Sequence, residues 1–360
     1  MALTTLFILL LPPTTQILFA SVSIIEVSTA AELKQALEDV QPGQTIQLAD
    51  GVYAAEFEAT VSGTITQPIA LQGSAQAILD RGAIQGGHGL YLDHVDYWNL
   101  TGFTIRNAAK GIMLDHADHN RLDHLYIHTI GQEAIHFRSC SAFNLLQNSE
   151  IRNTGVITPG FGEGVYIGSD RSDWLEHSCD ADGRDKSNSN RVVNNIFGPD
   201  VRAEAIDIKE GTLGGKIIGN HFDATGLSGE NYADSWVDVK GNNYEVAHNV
   251  GQRGENSSLL HGFEIHEKVT SWGRDNLFYD NIAQVDADGY GFHIDTNDAN
   301  HGNKVCADNQ VYGAGKGVTN ITISGVPHSV IAANSSRLTA SPQPTITGTL
   351  WLPLIGNWPC

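Results

Sequence analysis

Six short stretches of this chain carry the side chains that proton-transfer chemistry needs, at alternate positions. They hold His136 and Arg138, Tyr166, Asp207 and Lys209, Asp238 and Lys240, Glu264 and His266, and His293 and Asp295. Apolar residues alternate with them: Ile135 and Phe137, Val165 and Ile167, Ile206 and Ile208, Val237 and Val239, Phe263 and Ile265, Phe292 and Ile294. A period of two places the apolar set inward and the polar set outward on a strand. Stripping a proton from a carbon beside a carboxylate needs a cation or Arg/Lys for the carboxylate, a base, and an acid for the leaving oxygen. A lysine serves as base where neighbouring cations or burial lower its pKa. Lys209, beside Lys240 and near Arg202 or Arg138, suits that role. Asp207, Asp238 and Glu264 could instead supply the two carboxylates of glycosidic hydrolysis. The plainer alternative is that Asp207–Lys240 and Asp238–Lys209 are cross-strand pairs that stabilise a sheet by a few tenths to ~1 kcal/mol. Three histidines and a tyrosine on the same face weigh toward chemistry.

The elements that must hold these residues repeat. A phrase Gly/Ala–apolar–X–apolar–X starts at Gly89, Gly111, Ala134, Gly164, Ala205, Trp236, Gly262 and Gly291, every 22 to 41 residues. A second apolar phrase follows with an Asn: Asn148, Asn195, Asn220, Asn249, Asn281 and Asn309. Such periods, with two or three short strands each, mark an all-β solenoid. With coils ~4.8 Å apart, the outward residues form columns spanning roughly 25 Å. The asparagines are expected at a bend, bonding one another along the axis. Thr29-Ala-Ala-Glu32 has the form of a capping box, so a short helix is expected to cap the solenoid. Thr45–Leu48 and Ile69–Gln72 read as first strands. A long insertion after Ile167 reads as a binding wall. Its acidic run Asp180, Asp182 and Asp185 is read as a solvated loop rather than a Ca²⁺ site, and Pro342 to Cys360 as a tail along the solenoid.

No linker interrupts the repeat between about residues 86 and 325, so residues 23–360 read as one domain. Residues 1–22 read as a secretory signal, apolar and small with Pro12 and Pro13. Sequons at Asn99, Asn256, Asn320 and Asn334 agree with export. The four cysteines are expected to pair as Cys140–Cys179, tying down the insertion, and Cys306–Cys360, pinning the tail. A net charge of −20 disfavours nucleic acid and anionic membranes as partners. No internal stretch approaches the ~18 apolar residues of a membrane helix.

The segment Ala31-Glu-Leu-Lys-Gln-Ala-Leu37, followed by Val40-Gln-Pro-Gly-Gln-Thr-Ile-Gln-Leu-Ala-Asp-Gly-Val-Tyr53, resembles the first coil of the pectate lyase-like superfamily. Within it, the wording is similar to the chondroitinase B/alginate lyase group. Glu204-Ala-Ile-Asp-Ile-Lys209 fits that group's spacing between a Ca²⁺-binding Glu and a catalytic Lys. The resemblance implies a single-domain right-handed parallel β-helix, Lys209 as general base and Glu204 as a Ca²⁺ ligand. Lys240 stands where the group's catalytic Arg is expected, and Arg202 where a second acidic ligand is. The reading is a secreted, monomeric lyase that cleaves a uronic acid-containing polysaccharide by β-elimination. Lys240, His266 or Tyr166 would supply the acid. Arg138, Arg202 and Glu204, with or without Ca²⁺, would handle the carboxylate. His136, Asp207, Asp238, Glu264 and His293 would line subsites, with Glu163 beside Glu204 as a second metal ligand. A hydrolase or C5-epimerase on the same fold, or a non-catalytic glycan-binding solenoid, are the alternatives.

Overall fold

The computed structural model describes residues 23–325 and Cys360. The signal, the Asn334 sequon and most of the C-terminal tail lie outside the described residues. Over the described residues the chain winds as a right-handed parallel β-helix of three sheets, one with 11 strands and two with 10. Each strand pairs in parallel with its counterpart one coil away, as in Ile135↔Val165 and Val165↔Ile206.

The repeat phrase marks one of the ten-stranded sheets, hereafter the site sheet. Its strands include His88–Asp93, Lys110–Asp115, Ile135–Arg138, Val165–Ile167, Ile206–Ile208, Val237–Val239, Phe263–His266 and Tyr290–Asp295. Two further strands, Phe57–Ala59 and Gly317–Thr319, extend it at the ends without the phrase. The alternating apolar residues are buried and stack from coil to coil; the Phe263 and Phe292 rings lie parallel at 5.1 Å. The small first residue of the phrase has a steric cause. A Cβ on Gly164 would stand 2.6 Å from the Ala205 carbonyl oxygen and 2.7 Å from the Phe197 ring.

The capping helix runs Ala30–Asp39. The Thr29 side chain accepts from the Glu32 N–H, and the Glu32 carboxylate accepts from the Thr29 and Ser28 N–H groups. Leu33, Ala36 and Leu37 close the end of the core.

The asparagine column bonds along the axis as expected. The Oδ1 atoms of Asn195, Asn220, Asn249, Asn281 and Asn309 each accept the backbone N–H of the preceding member, at 2.9 to 3.1 Å. Asn148 is the exception: Ser149 takes the ladder position, and the Asn148 amide donates to Asp123. A second ladder, Asn120–Asn144–Asn190, runs beside it. Asn220 is fully buried and also donates to the Val192 carbonyl. Asn220→Ala is expected to strand these groups and cost about 2–3 kcal/mol. Urea denaturation reads this as a lower midpoint, and an unchanged midpoint would mean the ladder carries no stability.

Both expected disulfides form, Cys140–Cys179 and Cys306–Cys360. The first anchors the insertion after Ile167, which folds as a 3-10 turn at Arg171–Asp173 and a helical turn at Trp174–His177. Asp185 is the pin beneath it. Its buried carboxylate accepts from the N–H groups of Ser139, Cys140 and Ser187 and from the hydroxyls of Ser169 and Ser187. Asp180 and Asp182 pair with Lys186 and Arg184, so ion pairs and the pin account for the acidic run.

Candidate active site

Two walls flank the site sheet. On one side the insertion meets the loop after His266: Lys268 Nζ lies 2.5 Å from Asp170, and Trp174 and Trp272 pack edge to face at 6.3 Å. On the other side the turns Pro159–Phe161 and Glu230–Tyr232 join, the Asn231 amide donating to the Gly160 carbonyl at 3.0 Å. Between them lies the column expected from the sequence, in the register His136–Tyr166–Asp207–Asp238–Glu264–His293.

Its floor is a buried chain of alternating charges. Lys209 Nζ is 2.8 Å from Asp207 Oδ2. Lys240 Nζ donates to Asp207 Oδ1 at 2.7 Å and to Asp238 Oδ2 at 2.5 Å. His266 Nδ1 is 2.9 Å from Asp238 Oδ1, and His293 Nδ1 is 2.5 Å from Glu264 Oε1. Asp207 and Asp238 thus hold Lys209, Lys240 and His266 in place, and Glu264 holds His293, from buried positions beneath the surface they were expected to line.

The charges follow from burial set against pairing. Burial opposes the charge of Lys209, but Asp207, with help from Asp238 and Glu163, outweighs it and raises the pKa. Lys240 is raised in the same way by Asp207 and Asp238. The expectation that neighbouring cations lower Lys209 is therefore reversed: two carboxylates hold it as an ammonium. Burial likewise opposes ionised Asp207, and the two lysines overcome it and lower its pKa. Burial, then Asp207 and Glu163, push the Tyr166 phenol well above its usual value, so it is a neutral proton donor. The Tyr166 ring lies 4.8 Å from Lys209 Nζ and edge-on to His136 at 4.4 Å.

Burial also works against protonated His266, yet Asp238 raises it to about 9. A histidine raised above its ordinary ~6.5 stabilises the fold fully below that pH and loses the contribution as pH rises through the folded value. The urea midpoint of the protein is expected to fall between pH 7 and 9, and that component to vanish in His266→Gln. A variant with the wild-type pH dependence would remove His266 as its source.

Glu163, Glu204 and Asp207 form a second cluster, all buried, with carboxylate oxygens within 4.8 Å of one another. Burial and then Asp207 push Glu163 up to about 8 and Glu204 well above its usual range. Three crowded carboxylate oxygens fit a hard divalent cation in donor type and supply about half the ligands Ca²⁺ takes. Arg202 is not brought to this cluster: its guanidinium is 3.7 Å from Asp200 at the sheet's edge. Arg138 is committed to Asp115 through two bonds of 2.8 and 2.6 Å. His136 sits buried between Glu133 and the Gly168 carbonyl.

The sequence reading picked Glu163 and Glu204 from the column one residue before the repeat phrases but missed its other members Glu133, Ser235, His261 and Tyr290. These residues flank the floor along its length. The signal was the position itself, always just ahead of the phrase.

No protein-family model matches the sequence, and no curated protein does. Among solved structures the chain is similar to an alginate lyase from Paenibacillus sp. str. FPU-7, with 38% identity, covering 84% of this chain and 99% of that one at a TM-score of 0.78. It shares the fold of pectate lyase Pel9A (15% identity, 80% of each chain, TM-score 0.54). It also shares that of PfbA, a surface adhesin of Streptococcus pneumoniae (15% identity, 81% and 75%, TM-score 0.53). With the parallel β-helix and a relative this similar along its whole length, the chain belongs to the pectate lyase-like family of parallel β-helix polysaccharide lyases.

Proposed function

We propose that this lyase is exported and cleaves alginate by β-elimination in the trough over the site sheet. The observation that carries the reading is the buried Lys209–Asp207–Lys240–Asp238–His266 chain, on a fold shared at 38% identity with an alginate lyase. The apolar leader, residues 1–22, and the two disulfides support export.

The reaction takes H5 from a uronate, forms the C4–C5 double bond and releases O4 with a proton. Lys240 and His266 present positive charge to the substrate carboxylate, which acidifies H5. Tyr166, neutral and beside Lys209, donates its proton to O4. Lys209 is the proton acceptor and must shed its own proton first, because Asp207 holds the ammonium. Glu163, Glu204 and Asp207 would hold Ca²⁺, which would supply further charge neutralisation for the carboxylate. Arg138 holds the trough edge through Asp115, and Arg202 lies at the rim.

Near-ultraviolet absorbance during incubation with alginate, pectate, glucuronan and glycosaminoglycans, each with Ca²⁺ and with chelator, tests the reading. A rise with alginate is expected, since each cut creates an unsaturated end. A rise confined to another polymer would reassign the substrate. A flat trace on all of them, with new reducing ends, would replace elimination by hydrolysis.

A further inference from the structure

Three coils beyond the Asp207 strand the trough ends in a set of parallel rings. His261 and His293 stack at 4.1 Å and 13°, Tyr290 and His293 at 5.6 Å and 7°. Lys316 Nζ stands 5.6 Å from the Tyr290 ring centre and makes no ion pair among the described residues. Lys316 is exposed.

His261, Glu264 and His293 have ligand atoms within 4.8 Å of one another, the outline of a two-histidine, one-carboxylate metal site. Hydrogen bonding argues against that use. The backbone N–H of Tyr290 donates to His261 Nδ1 at 3.0 Å. A neutral imidazole has one acceptor and one N–H, so the proton of His261 sits on Nε2, toward Glu264 Oε1 at 3.8 Å. A metal on Nε2 would need a ring with no proton at all. The cluster is thus a hydrogen-bonded frame: His261 is fixed flat behind His293, and Glu264 holds His293 by Nδ1. The frame fixes the rings of His293 and Tyr290 at the mouth of the trough, with an unpaired ammonium beside them.

We infer that Tyr290, His293 and Lys316 form a distal subsite for a uronate unit of the bound polymer, the rings meeting the C–H face of the sugar and Lys316 its carboxylate. A carboxylate is the complement of the Lys316 ammonium, and rings with few polar groups suit a sugar face. The register Asp207–Asp238–Glu264–His293 puts the subsite three strand spacings from the Asp207 strand, roughly 14 Å at ~4.8 Å per coil. It is therefore reached only by a chain that extends several units past the bond being cut. The inference rests on the alginate lyase reading above.

The test is kinetics on alginate oligomers of defined length, with Lys316→Ala, Lys316→Glu and Tyr290→Leu. KM for oligomers long enough to span the trough is expected to rise roughly two- to fivefold in Lys316→Ala, the upper range of an exposed ion pair, and further in Lys316→Glu. kcat should stay unchanged, and so should KM for the shortest oligomer cleaved. Lys316→Arg should restore the long-oligomer KM. Wild-type turnover with variants that match it at every length, or that lose equally at every length, overturns the subsite and leaves the function intact. Absence of wild-type turnover on any alginate oligomer overturns the functional reading itself.

Discussion

On the proposed reading, Lys209→Ala is expected to lower turnover of alginate by about a thousandfold, the middle of the range that a positioned proton-transfer group contributes. The geometry adds a pH signature to that loss. Asp207 lies 2.8 Å from Lys209 Nζ and raises its pKa above the ordinary lysine value. Only a small fraction of the side chain is then neutral at pH 7, and that fraction grows about tenfold per pH unit. The kcat/KM of the wild type is expected to climb with near-unit slope between about pH 5 and 7, below the values of about 8 for Glu163 and about 9 for Glu264 and His266, all raised by burial or by neighbouring carboxylates. Lys209→Arg should be as inactive as Lys209→Ala, because a guanidinium does not give up its proton. A flat profile, with Lys209→Arg retaining most activity, would make Lys209 a carboxylate-neutralising group and move proton abstraction elsewhere.

The second large effect is on stability. Lys240→Met is expected to cost about 3–5 kcal/mol, since removing one partner of a buried ion pair leaves an uncompensated charge. Here one ammonium serves two carboxylates, Asp207 at 2.7 Å and Asp238 at 2.5 Å, and all three side chains are buried. Urea unfolding at pH 7 is the measurement, urea being uncharged. Adding Asp207→Asn and Asp238→Asn to Lys240→Met should recover much of the loss, because the charges then disappear together. A single variant within 1 kcal/mol of wild type would show that solvent reaches the floor.

The fold was legible because the solenoid writes itself into the sequence twice. Its apolar residues alternate with period two, and its buried asparagines recur once per coil. Both signals are local, and the strand register, such as Tyr166↔Asp207 and Asp207↔Asp238, follows from stacking them. The polar column was legible for the same reason. What escaped was whatever depends on distance between side chains. Alternation placed Asp207 and Asp238 beside the lysines but could not say that they lie buried under them and raise their pKa. Arg138 and Arg202 were read as free cations, whereas Asp115 and Asp200 engage them from residues the pattern did not single out. The strands Phe57–Ala59 and Gly317–Thr319 lack the phrase because end coils have a neighbour on one side only.

The asparagine ladders and parallel pairings bind each coil to the next and to nothing farther away. Such a stack opens like a zipper, from whichever end is loosest, and each further coil released costs one more interface. The Ile206–Ile208 and Val237–Val239 strands, which carry Lys209 and Lys240, lie mid-array with at least three strands of the site sheet on either side. The capping helix guards one terminus and the Cys306–Cys360 bridge the other. Fluctuations that open the terminal coils leave the charged floor undisturbed, so amide exchange should be slowest at the strands that hold the chemistry.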